Sequence, residues 1–471
     1  MKKHVFLLAL LCSASLVQAR DNWVADSVPA AYAESLPEMT SPSEDSWWSA
    51  LQDPTLTQLI SLGENNSWDL LAAIRRVESA RAALQRTYSA YYPQLNLSAG
   101  WEKGRQSGAT TPQTMPASNY SYFNLGLSAS WEIDVFGKVR AQAKASKASL
   151  DATRAERNGV LISVCASIAK TYFGLRTYQQ QLEVALNHID SQERLQQMAE
   201  DRYEAGLASK LDVAQARTLV LSTKATIPRL KALIEGNIQS LATLCGVYPE
   251  QLPAGVRLHG ELPDAVAGAP VGVPADLLWR RPDIVEARFN LDQLAAQVGI
   301  AKKDYLPSLS IQGQIGTSAH RLDDLFSNQS LTWSVAPTLS WNVFDGLDRK
   351  YAVAQAKADL EAAVDSYNLT VMQAVSDVNS NLALYASALE EIKLDREVIA
   401  SSQEQLDLAI DRYKLGLTDF SDVADAQMSL LENRNSLVSA QGNALSDLTA
   451  IYESLGGGWA PSQDLFEIKK Q

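Results

Sequence analysis

The sequence predicts a mainly α-helical protein with a small membrane-type β component, duplicated internally and completed by oligomerisation. Three observations predict it. Motifs recur in register between the two halves, four short segments alternate strictly between apolar and polar residues, and two long proline-free stretches carry a seven-residue apolar spacing.

The first residues read as a targeting signal over 1–19. Lys2 and Lys3 precede the apolar run Val5 to Leu11, and Val17-Gln18-Ala19 gives a small-x-small site before Arg20. Cys12 opens an alternative, a lipidated cysteine, although Leu11 is larger than such sites prefer. After Ala19 no run approaches the roughly 18 apolar residues of a spanning helix, so a membrane role falls to strands. Removing Lys2 and Lys3 takes the net charge from −13 to −15, which disfavours nucleic acid as a partner. Cys165 and Cys245 are the remaining cysteines, which excludes a disulfide-rich scaffold and a cysteine metal cluster. Their repeat counterparts are Val375 and Leu455, so buried free thiols are expected.

The duplication sets the organisation. Arg202-Tyr203-x-x-Gly206-Leu207 with Asp212-Val213-Ala214 recurs as Arg412-Tyr413-x-x-Gly416-Leu417 with Asp422-Val423-Ala424, an offset of 210. Tyr91-x-Pro93-x-Leu95 matches Tyr305-x-Pro307-x-Leu309 at an offset of 214, so the intervening loop is four residues shorter in the second copy. Copy one is expected over 61–245 and copy two over 275–456, joined by a Pro/Gly-rich linker, 246–274.

Strands are expected at about 94–102, 122–131, 308–317 and 332–341. Leu95, Leu97, Ala99 and Trp101 alternate with Asn96, Ser98, Gly100 and Glu102, and the other three segments follow suit. Four strands of a soluble sheet would alternate in the same way. The polar faces of Ser, Asn, Gln and Gly suit a wet lumen, however, and about ten residues is the length of a tilted membrane strand. Trp101, Tyr122 and Trp333 then mark one aromatic rim and Trp131 and Trp341 the other. Pro337 removes a ladder donor, so a bulge is expected there.

Long helices are expected over 138–204 and 347–414. Leu161, Ile168, Leu175, Leu182 and Ile189 repeat every seven residues, as do Val371, Val378, Tyr385, Ile392, Ile399, Leu406 and Tyr413. Such spacing implies coiling against a partner helix. Turns at Gly206 and Gly416 lead into return helices, 209–244 and 419–455, with a kink at Pro228 in the first. His188 is placed on a solvated helix face. Four strands cannot close a membrane barrel, whose smallest form has eight, and an open edge in lipid is forbidden, so copies must share one barrel. Each long helix, roughly 100 Å at 1.5 Å per residue, exceeds any bilayer and projects into the periplasm.

The chain resembles the outer membrane factors, relatives of TolC and OprM. The resemblance rests on the duplicated R-Y-x-x-G-L…D-V-x-x-A turns, the strand ends Trp131…Phe136-Gly137 and Trp341…Phe344-Asp345-Gly346, and Leu277-Leu278-x-Arg280-Arg281-Pro282-Asp283-Ile284. The last motif is similar to the OprM-like branch. This resemblance implies a homotrimer: a twelve-stranded barrel in outer-membrane lipid, a helical periplasmic tunnel, and an equatorial belt to which 20–60, 246–274 and 457–471 would belong. It implies a periplasmic adaptor and an inner-membrane pump of the resistance-nodulation-division type as partners, and a passive export duct that needs no cofactor or metal. A one-step protein exporter would use the same tube. No metal-binding H-E-x-x-H, phosphate loop or nucleophile elbow supports an enzyme. In Arg280-Arg281-Pro282-Asp283, Pro and Asp are expected to make a helix start while the arginines bind belt carboxylates, the alternative being that the motif binds a ligand.

Two site groups are expected at the turns. Gly206, Leu207, Gly416 and Leu417 would form apolar tips, which mark a partner site, and the resemblance implies that the adaptor meets them. Asp422 and Asp425 share a helix face beyond the second tip, and with Asp212, Tyr203 and Tyr413 would form a cation-selective gate. For Asp419 and Asp422 an alternative is simple complementation of the helix dipole.

Overall fold

The computed structural model describes residues 29, 31–33, 47–107, 118–258, 260–263 and 280–457. The signal segment, Cys12, His259, Leu277, Leu278, the second part of the expected linker (264–274) and nearly all of the expected tail lie outside them. The chain divides into two compact units, Met1–Arg76 with Arg154–Glu286 and Tyr367–Gln471, and Val77–Thr153 with Ala287–Ser366. Each unit draws on both sequence copies, so the duplicated halves are not the compact bodies.

In chain order the helices and strands are α1 (Pro54–Asn66), α2 (Trp68–Tyr88), β1 (Gln94–Gln106), β2 (Ser118–Ile133), α3 (Lys138–Glu204) and α4 (Lys210–Leu244), then α5 (Pro282–Lys303), β3 (Ser308–Ala319), β4 (Leu331–Ser340), α6 (Asp348–Lys414) and α7 (Phe420–Ser454). The helix ends fall within a residue of expectation. β1 and β2 run several residues past theirs, and Trp341 sits just beyond β4. α4 is unbroken across Pro228.

In the larger unit the seven-residue seam is the core. Ile168, Leu175 and Ile189 of α3 are buried, as are Val371, Val378, Tyr385, Ile392, Leu406 and Tyr413 of α6. One window of α3 reaches a mean hydropathy of 1.2, and 56% of it is buried, so its apolar surface is largely spent on packing. Asp53 starts α1 by accepting hydrogen bonds from the Thr55 and Leu56 amides, and it accepts another from Tyr172 on α3 at 2.6 Å. Arg281 reaches Asp283 at 2.7 Å and Asp377 at 3.3 Å, the carboxylate-binding role expected of the motif.

Cys165 and Cys245 are free and buried. Burial pushes their thiols up to about 12 and about 11. His188 corrects the sequence reading: it is only 2% exposed, beside Gln427. α3 packs on more than its heptad seam, so the flank carrying His188 is covered as well.

The smaller unit holds a four-stranded antiparallel sheet ordered β1-β2-β3-β4. Pro337 forms no bulge, since the register runs evenly through Ile311↔Pro337. The Ser318 amide donates to the Ser330 carbonyl at 2.9 Å. Counting by twos from that pair places Pro337 at a non-hydrogen-bonded site. Its nitrogen therefore faces away from β3, where the missing donor costs this sheet nothing.

Candidate functional site

The sheet register decides which side chains share a face. The rows Leu97↔Leu127↔Ile315↔Trp333 and Leu95↔Ala129↔Gly313↔Val335 put every odd-numbered apolar residue on one side. Leu95, Leu97, Trp101, Ile315, Trp333, Val335 and Leu339 are all exposed, so the sheet offers solvent a continuous apolar surface. A soluble sheet would bury that face. The opposite side carries Asn96, Ser98, Asn124, Ser128, Gln312, Gln314 and Ser334.

Four of the five expected rim aromatics lie on the apolar face. Trp101 shares its row with Phe123 and Ala319, and Trp333 lies four residues further along β4. Trp131 shares its row with Ile311 and Pro337, and Trp341 again follows four residues on. The same stagger at both ends is what strands tilted to a common axis require. The two copies also anchor their tryptophans alike. Trp131 donates to the Tyr91 carbonyl and Trp341 to the Tyr305 carbonyl, each at 3.0 Å. Tyr122 is the exception and is corrected. It pairs with Glu102 across the ladder, so it lies on the polar face, and its hydroxyl donates to that carboxylate at 2.5 Å. Phe123 occupies the apolar position instead, with its ring 6.4 Å from that of Trp101.

At the far ends of the long helices, in the larger unit, the two turns are built identically. Gly206 and Gly416 both have φ of +71°. The Leu207 amide donates to the Arg202 carbonyl at 2.8 Å, and the Leu417 amide to the Arg412 carbonyl at 3.0 Å. These are glycine C-caps that release the last helical carbonyls from isolation. Both tip leucines are left in the open, Leu207 at 68% and Leu417 at 65% exposure.

The gate candidates separate into two kinds. Asp212 is buried and engaged: it receives the Ser209 hydroxyl at 2.7 Å and the Tyr413 hydroxyl at 3.4 Å. Burial and the neighbouring Asp212 carboxylate push the Tyr413 phenol up. Asp422 and Asp425 are exposed and line an open groove of about 550 Å³ with Glu404, Leu408 and Arg412. Tyr203 is exposed, so the two tyrosines are not equivalent. Arg202 was given no role by the sequence, although it opens the repeated motif. Its guanidinium lies 5.0 Å from the Tyr413 ring centre and donates to the Lys414 carbonyl at 2.7 Å. Among the described residues no three His, Cys, Asp or Glu are grouped to hold a metal ion.

An exposed apolar sheet with a polar reverse face, carried by long paired helices with apolar tips, defines a membrane channel subunit. The chain belongs to the outer membrane efflux protein family, whose sequence profile matches residues 59–247 and again 273–457. The solvent efflux pump outer membrane protein SrpC of Pseudomonas putida is 30% identical over 414 residues, 88% of this chain and 87% of that protein. The pyoverdine export outer membrane protein OpmQ of Pseudomonas putida is 30% identical over 444 residues, 92% of this chain and 91% of that protein. Among solved structures, the outer-membrane channel OprN aligns with a TM-score of 0.84 and 32% identity, covering 92% of this chain and 97% of that one. The protein is an outer-membrane efflux channel.

Proposed function

We propose that three copies close one twelve-stranded barrel and form a passive exit duct for small organic molecules. The observation that carries this reading is the open sheet. Among the described residues β1 and β4 each keep one unpaired edge, and one whole face is apolar and exposed. The unpaired edges are not tolerated in lipid until further strands complete the ring, whereas the apolar face is a surface that lipid would cover. The tunnel helices would then meet a periplasmic adaptor at Leu207 and Leu417, and an inner-membrane pump, of the resistance-nodulation-division type, would supply the energy. Asp422 and Asp425 would ring the narrow mouth and favour cations, while Asp212 and Tyr413 hold the tip in shape. The matched relatives are named for solvent, toluene, antibiotic and pyoverdine export, which supports small molecules as cargo.

The purified chain reconstituted in planar bilayers should conduct, and cross-linking should give a trimer. A strain lacking the gene should become more sensitive to organic solvents and antibiotics, and the wild-type gene should restore resistance. A monomer without conductance, or unchanged sensitivity, would overturn the reading.

A further inference from the structure

All four helix–strand junctions lie at one end of the sheet. α2 leads into β1, β2 into α3, α5 into β3 and β4 into α6. The charge there runs against the rest of the chain. Segments 81–93, 134–150, 297–307 and 342–358 hold eleven Lys or Arg and four Asp, a net of +7 (11 − 4), in a chain of net −13.

The cations after β2 also oppose local physics. A helix N-terminus is the positive end of the backbone dipole and favours acidic side chains. α4 and α7 obey, with Asp212 and Asp422 in their first turns. α3 instead has no acidic residue in its first turn, and Lys138 and Arg140 stand there. Arg140, Lys144 and Lys147 follow at spacings of four and three, on one helix face. All three are exposed, while Val139, Ala143 and Ala148 behind them are buried. The second copy repeats two of the three at offset 210, as exposed Lys350 and Lys357.

Three of the four aspartates nearby are already occupied, and the fourth, Asp348, stands in the first turn of α6, where it complements the helix dipole. Asp304 pairs with Lys138 at 2.5 Å, and Asp345 pairs with Arg349. Asp134 accepts the Val139 and Arg140 amides at 3.0 Å each, leaving the Arg140 side chain 3.9 Å away. Among the described residues Lys144, Lys147 and Lys357 have no acidic partner within ion-pair distance. The same junctions expose Val135, Phe136, Val343 and Phe344, with Trp131 and Trp341 just above them. Apolar and aromatic side chains bordered by unpaired cations match the chemistry of a lipid headgroup layer.

We propose that Arg140, Lys144 and Lys147, joined by Lys350 and Lys357, form a basic collar that binds the phosphate heads of anionic glycerophospholipids in the periplasmic leaflet. The inference rests on the barrel reading, which sets this end of the sheet at the periplasmic membrane surface. Lipid phosphate supplies the anions that the helix N-termini and their cations together attract. An acidic protein partner is the competing occupant, but the continuous apolar border favours lipid.

The test uses the full chain in vesicles and reads tryptophan fluorescence quenched by brominated phosphatidylglycerol or brominated phosphatidylcholine. The wild type should bind phosphatidylglycerol several-fold more tightly, and the preference should shrink as salt is raised. The triple variant R140Q/K144Q/K147Q should bring the ratio close to one, whereas R140K/K144R/K147R should keep it. Equal quenching of the wild type by the two lipids would overturn the collar while leaving the barrel intact. A triple Gln variant that kept the preference would also overturn it, and would leave the cations to a protein partner. Quenching by neither lipid would overturn the barrel reading as well.

Discussion

The Tyr413 hydroxyl donates to the Asp212 carboxylate at 3.4 Å, linking the end of α6 in the second copy to the start of α4 in the first. Arg202 tightens the same junction, through the Lys414 carbonyl at 2.7 Å and the Tyr413 ring. The two ties differ in strength. The tyrosine bond is long, whereas the arginine makes a charge-assisted bond to a helix C-terminus as well as a cation–π contact. Arg202→Ala should therefore raise resting conductance in planar bilayers more than Tyr413→Phe does. Equal, wild-type conductance in both variants would show that this junction does not restrain the mouth.

The turn glycines make a second test. At φ of +71° a residue with a Cβ is strained by about 1–2 kcal/mol, although nothing lies within 4 Å of a Cβ at Gly206. Gly206→Asp and Gly416→Asp should leave the trimer assembled on native gels but abolish drug resistance, because a charge would wet the exposed Leu207 and Leu417 contact. Gly206→Ala, which carries the same strain without the charge, should retain most resistance. Full resistance in both Asp variants would remove the tips from adaptor binding.

His188 gives a pH prediction. Burial, helped by the Arg434 charge, lowers it from its ordinary 6.5 to about 4. The folded state therefore binds fewer protons than the unfolded state between these values, so stability falls as pH drops from about 6.5 toward 4. The melting temperature should be lower at pH 5 than at pH 7. His188→Gln, which keeps a polar group beside Gln427 but cannot be protonated, should flatten part of that slope. An identical slope in the variant would assign the acid sensitivity to other groups.

Much of this was legible in the chain because it is periodic. Alternation gave the strands, the seven-residue seam gave α3 and α6, and the offset of 210 tied the two turns together. The misses fall where periodicity alone is insufficient. Tyr122 was grouped by its position near a rim, whereas its parity against Phe123 already assigned it to the polar face. His188 lies beside the seam, and no single-seam reading can show that a neighbouring helix covers its flank. Pro337 required the hydrogen-bonding phase of the ladder, which only the partner strand supplies. Arg202 and Asp212 meet residues some 200 positions away, a relationship the duplicated motif hinted at but could not orient.

The acidic pair of α7 is where the two copies part company. Asp425 is replaced by Gln215 in the first copy, and Asp212, the counterpart of Asp422, is buried and occupied. At this pair of positions the second copy, unlike the first, therefore presents two exposed carboxylates on one helix face, lining the groove beside Glu404 and Arg412. Complementing the dipole of α7 accounts for Asp422 in the first turn but not for Asp425 beyond it. In a trimer the pair would give six carboxylates around the mouth, a ring that attracts cations and holds multivalent ones longest. The wild-type channel should be cation-selective and blocked by trivalent cations added from the periplasmic side. Asp422→Ala with Asp425→Ala should weaken both properties without loss of the trimer, whereas Asp212→Asn should leave selectivity unchanged because its side chain does not face the groove. Wild-type selectivity and block in the double variant would place the cation filter elsewhere in the duct.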